Sequence, residues 1–106
     1  MIQVKEGVVF KTLEPAIYSK LGAIDSIFKA AGVWAVITSA ADGKHKQDSF
    51  HYKDLALDLR SRDLPNEQVK LEVLQALKDA LGENYDMILE NLGNPSEHFH
   101  IEFDPK

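Results

Sequence analysis

The sequence predicts an α+β domain in which a mixed or antiparallel sheet carries two helices packed on one of its faces. Two observations lead there. Apolar residues recur at spacings of three and four in two segments, which is the period of a helix with one buried stripe. Elsewhere, short β-rich runs alternate apolar and polar residues, which is the period of a half-buried strand. The two helices and four or five strands do not alternate strictly, so a doubly wound parallel sheet is not expected.

The elements follow in order. Val8-Val9-Phe10 reads as a short opening strand. Pro15 suits the first turn of a helix, with Glu14 near its positive end. Ile17, Leu21, Ile24, Ile27 and Phe28 give that helix one apolar stripe, and Gly32 closes it. Val33 to Ser39 reads as a buried strand, with Trp34 in the core. Residues 40 to 50, which include Asp42-Gly43, form a polar loop. Leu55 to Arg60 is a strand. Pro65 opens a second helix, whose apolar face is Val69, Leu71, Val73, Leu74, Leu77 and Leu81, and Gly82 closes it. Met87-Ile88-Leu89 is a short strand, residues 91 to 96 are a loop, and His98 to Phe103 is the last strand.

Composition narrows the function. The chain has 106 residues, enough for a single domain, 1–106, and short for two. Its net charge of −5, without a cluster of basic residues, argues against nucleic acid as a partner. It contains no cysteine, so any metal must be held by His, Asp and Glu. The start Met1-Ile2-Gln3-Val4-Lys5-Glu6 lacks the features of a secretory signal, and no run is long enough to span a membrane. The expectation is a product made in the cytoplasm, without a membrane partner and monomeric.

The strand faces carry the chemistry. Side chains alternate across a strand. Leu55, Leu57 and Leu59 therefore share one face, and Ala56, Asp58 and Arg60 share the other. Phe99, Ile101 and Phe103 share one face of the last strand, opposite His98, His100 and Glu102. If the two strands are neighbours, Asp58 and both histidines project on the open side of the sheet. Imidazole nitrogen and carboxylate oxygen together suit zinc. Calcium, which takes oxygen ligands, fits two histidines poorly.

The run Ser49-Phe50-His51-Tyr52-Lys53-Asp54-Leu55-Ala56-Leu57-Asp58 resembles the S-x-H-x-x-G-x-A-x-D signature of a zinc peptidase family. That family contains the D-Ala-D-Ala carboxypeptidases and the phage L-alanyl-D-glutamate endopeptidases, and shares its fold with the hedgehog signalling domain. Glu97-His98-Phe99-His100 is similar to the family's E-x-x-H and H-x-H elements, and Ile37-Thr38-Ser39 and Leu59-Arg60 also look like its members. The resemblance covers about residues 33 to 104 in the family's order.

The resemblance implies His51, Asp58 and His100 as zinc ligands, with water in the fourth position. It implies Glu97 as general base and His98 as a group that orients substrate or steadies an oxyanion. A regular strand points Glu97 away from His100, so Glu90 and Glu102 are rival bases. The implied reaction is hydrolysis of a peptide bond next to a D-amino acid in peptidoglycan stem peptides, by a phage or prophage product. The other reading is a non-catalytic virion or assembly module with a structural or vestigial zinc. Two departures stand out: Asp54 replaces the signature glycine, and Ala40-Ala41-Asp42 stands where many members place an arginine. Lys44 and Arg60 are candidates for that arginine's anion-binding role. His45 and Tyr52 are candidate neighbours of the metal and the cleft, whereas Asp48 and Lys53 read as solvent-facing.

Overall fold

The computed structural model describes residues 2–10, 14–40 and 55–105. Among them are five strands, β1 (Ile2–Val4), β2 (Ala35–Ser39), β3 (Ala56–Arg60), β4 (Tyr85–Glu90) and β5 (His98–Phe103). They are joined by α1 (Pro15–Tyr18), α2 (Leu21–Ala30) and α3 (Glu67–Leu81). The strands form one sheet in the order β1-β2-β3-β5-β4. Only β1 and β2 run parallel; the other neighbours are antiparallel. The α+β class and the mixed sheet are as the periodicities predict.

Three local features differ from the reading of the sequence. Residues 8–10 are not a strand; the first strand is Ile2–Val4, a three-residue edge too short to show alternation. The first helix is broken into α1 and α2, because at Lys20 the hydrogen bonding tightens to a bond from its N–H to the Ile17 carbonyl. The apolar stripe nevertheless survives the break, with Ile17, Ile24 and Phe28 buried. Trp34 is not core but 51% exposed. The cause is the helix end before it. Gly32, at φ 84°, donates to the Lys29 carbonyl at 2.9 Å, and Val33 donates to the Phe28 carbonyl at 3.1 Å. This pair of bonds is the Schellman closure, and it holds Val33 in the helix cap so that β2 starts only at Ala35.

The helix α3 begins after Asn66, whose side chain accepts from the Val69 N–H at 2.9 Å. Its inner face buries Val73, Leu77 and Leu81, while Leu71 faces solvent. These residues, with Ile24 and Phe28 of α2, pack on the sheet face made by Leu57, Leu59, Met87, Phe99 and Ile101. The Phe28 and Phe99 rings meet edge to face at 5.8 Å. The opposite face carries Asp58, Arg60, His98, His100 and Glu102, together with Ile88.

One irregularity positions the site. Ile37 pairs with Leu59, yet Ser39 pairs with Asp58, so β2 spends one more residue than β3 across this step. Thr38 is the residue at that bulge, and its hydroxyl donates to the Asp58 carbonyl at 3.4 Å.

Candidate functional site

Antiparallel pairing of β3 with β5 sets Asp58 directly beside His100 and Arg60 beside His98. On the other flank of β5, β4 places Ile88 beside His100 and Glu90 beside His98. The open face is thus a small grid with the two histidines at its centre. The condition left open by the sequence, that the two strands be neighbours, is met.

Asp58 Oδ1 lies 3.0 Å from His100 Nδ1 and 3.6 Å from His98 Nε2. Glu90 Oε1 lies 3.5 Å from His98 Nε2 and 3.8 Å from His100 Nδ1. Ligand atoms held about 2.0–2.1 Å from a tetrahedral zinc are roughly 3.3 Å from one another. The two Asp58 contacts are of that order, but they are equally hydrogen-bond and ion-pair distances, and among the described residues the group whose ligand atoms all lie within 4.8 Å of one another is Asp86, Glu102 and Asp104. His51 lies outside the described residues, as do Lys44, His45, Asp48, Tyr52, Lys53 and Asp54.

The far side of His100 meets a second carboxylate. Its Nε2 is 2.8 Å from Glu102 Oε1. A histidine that binds a metal through one nitrogen commonly gives its other N–H to a carboxylate, which holds the ring in place. Glu102 occupies that position here, so its contact is with the imidazole, in an orienting role.

Without metal, the ring is charged. The hydrogen bond to Asp58 is the largest influence on His100, opposed by burial and reinforced by Glu102, and its pKa is pushed up to about 9. His98 is arranged differently. Its Nδ1 is 2.8 Å from the Ser96 carbonyl, which can only accept, so Nδ1 carries the proton. A neutral ring then aims the lone pair of Nε2 at Asp58 and Glu90.

Glu97 sits just before β5 and faces away from His100. Its carboxylate accepts from the Ser61 hydroxyl at 2.6 Å and from the Gly93 N–H at 2.9 Å, and pairs with Lys70 at 2.7 Å. Its side chain is 7% exposed. Burial alone would push the Glu97 carboxyl up, but Lys70, Ser61 and Gly93 together bring it down to about 2. Glu97 still lines one cleft with Asp58 and His98, of about 780 Å³. Ser61 and Lys70 carry no motif, and nothing in the sequence marks them as partners of Glu97.

A second cluster lies further along the same face. Carboxylate oxygens of Asp86, Glu102 and Asp104 come within 4.8 Å of one another. An all-oxygen set suits hard cations rather than zinc, and acidic groupings of this kind are common on surfaces. Compared with the known protein families, with characterised proteins and with solved structures, the chain finds no match.

Proposed function

We propose that this chain is a zinc peptidase with the hedgehog/DD-peptidase fold. It hydrolyses peptide bonds next to D-amino acids in peptidoglycan stem peptides, as a phage or prophage product. The observation that supports this reading is that two of its three ligands, Asp58 and His100, stand side by side on the open face, with Asp58 Oδ1 3.0 Å from His100 Nδ1. His51, Asp58 and His100 are the ligands in this reading. Zinc, when bound, supplies a Lewis acid for the scissile carbonyl and an acidified water.

The chain's own residues divide the remaining work. Glu102 steadies the His100 ring. Glu97, on the cleft wall, is the proton carrier of this reading, and Glu90 is its rival because it already stands at the imidazoles. His98 lines the cleft, and in this reading it orients substrate or steadies an oxyanion. Among the described residues no helix is long and apolar enough to cross a membrane.

The test is metal content by mass spectrometry for the parent protein, His51→Ala and His100→Ala, followed by assay on purified peptidoglycan. About one zinc per chain, lost in both variants, is expected. No zinc in the parent after reconstitution at neutral pH sinks the reading. Hydrolysis lost in Glu97→Gln but kept in Glu90→Gln assigns the base to Glu97; the reverse assigns it to Glu90.

One observation favours a non-catalytic virion or assembly module. A carboxylate held by three donors, with its pKa near 2, is a weak proton acceptor. Tight zinc binding with no hydrolysis of any purified peptidoglycan is the result that selects this second reading.

A further inference from the structure

The sheet ends in two edge strands, and they are not alike. β1 is three residues long and leads directly into Lys5. Shortness and an adjacent lysine both keep an edge from pairing with another chain. β4 is six residues long and contains no lysine, arginine or proline. It pairs with β5 without a bulge from Tyr85 to Glu90, so its outer side is a straight row of backbone groups.

The hydrogen bonds around β5 identify those groups. The Phe103 N–H donates to the Leu55 carbonyl at 2.8 Å, on the β3 side, and the Asp104 N–H donates to the Asn84 carbonyl at 2.8 Å, on the β4 side. Backbone groups alternate sides along an antiparallel strand. Asp86, Ile88 and Glu90 therefore turn theirs towards β5, and Tyr85, Met87 and Leu89 turn theirs outward. The outward Tyr85 N–H is taken by the Gly82 carbonyl at 3.2 Å. Among the described residues nothing bonds to the outward groups of Met87 and Leu89. Ile88, between them, is 52% exposed.

Such a row can pair antiparallel with the same row of a second copy about a two-fold axis. Two registers join outward groups to outward groups across the length of β4. With the axis at Ile88, Asp86 lies opposite Glu90 of the second copy, carboxylate against carboxylate, on both sides of the axis. With the axis at Met87, Tyr85 lies opposite Leu89, Asp86 opposite Ile88, and Asn84 opposite Glu90. The backbone hydrogen bonds are equal in number, and like charges directly opposite disfavour the first register.

We propose that this chain forms a two-fold dimer through the β4 edge, with Met87 on the axis, so that two five-stranded sheets join into one. An axis perpendicular to the sheet keeps corresponding faces together, and the Asp58 clefts of both copies open on the same side. One strand pair is a small interface of the transient class, with a dissociation constant on the order of 10–100 μM. The inference uses nothing from the peptidase reading and stands or falls apart from it.

The test is sedimentation velocity of the purified full chain from about 5 to about 500 μM, a range that brackets that constant. The parent should pass from monomer to dimer across it. Leu89→Pro removes an outward N–H and leaves the ladder to β5 intact, since proline is tolerated where an edge N–H faces solvent. It should stay monomeric throughout, with its fold checked by circular dichroism. Ile88→Lys sets an ammonium opposite Asp86 of the second copy, twice over. It should tighten the dimer about threefold to tenfold, a gain that misfolding does not produce. Ile88→Asp sets a like charge there and should weaken the dimer by a similar factor. A parent that is monomeric to the top of the range overturns the proposal, as does a folded Leu89→Pro that dimerises like the parent. Weakening by Ile88→Lys as well as by Ile88→Asp overturns the axis at Met87.

Discussion

His100 stands between Asp58 and Glu102, and in the metal-free protein its charge is part of the fold's stability. Its folded pKa, about 9, lies above the ordinary value of 6.5. The contribution is therefore complete below about pH 6.5 and is lost as pH rises through about 9. The thermal midpoint of the chelated protein should fall across that window, and Asp58→Asn should flatten the fall. A midpoint indifferent to pH in the parent would contradict this. Glu97 has the opposite sign. Its carboxyl is held down to about 2 from 4.5, so its contribution is present above about pH 4.5 and is lost as the solution is acidified towards 2. Glu97→Gln should cost about 1–3 kcal/mol in urea denaturation at neutral pH, because Lys70 loses its counter-charge. At this scale Asp58, His98 and His100 were legible because strand alternation alone puts them on the open face. Ser61, Lys70, Lys5 and Arg62 were not, since Lys5, Arg62 and Lys70 reach the cleft from three separate segments and Ser61 meets Glu97 only through the tertiary fold.

Elements were legible where their ends carry local chemistry. The last strand runs from His98 to Phe103 as its alternation predicts, and α3 ends at Gly82 as expected. The sequence puts its start at Pro65, but the Asn66 side chain sets the first turn two residues later. Asn66→Ala should therefore cost about 1 kcal/mol, measured by denaturation, with zinc content unchanged. Gly32 closes α2 in a conformation that L side chains rarely adopt. Gly32→Ala should cost about 1–2 kcal/mol by the same measurement, through strain at the positive φ. The break between α1 and α2 had no such signal, because the apolar stripe continues through it. The edge strand β1 escaped notice because three residues cannot display a period, and because its parallel partner lies thirty-odd positions away.

Over the whole molecule, the sheet order was the part hidden from the sequence. Both β3 and β4 flank β5, and α3 with β4 intervenes between β3 and β5 along the chain, so no local pattern announces the pairing of Asp58 with His100. That pairing gives the site a share in global stability. Zinc at a hundred times its dissociation constant should raise stability by about 2.7 kcal/mol. For a chain of this size the thermal midpoint should rise by roughly 10–20 °C, checked by scanning with and without chelator. The bulge at Thr38 has a consequence of its own. Ile37 and Ser39 have the same parity, and in a regular strand they would point the same way. Because Ile37 is paired with Leu59 and Ser39 with Asp58, one turns to the core and the other to the cleft. A single-residue deletion at Thr38 would keep every strand and every apolar residue while restoring strict parity. Such a deletion is expected to fold with Ser39 still opposite Asp58, and to remove the Thr38 hydroxyl from the cleft. The extra residue acts as a phase shift: it lets two successive side chains, Thr38 and Ser39, line the cleft while Ile37 before them stays in the hydrophobic layer.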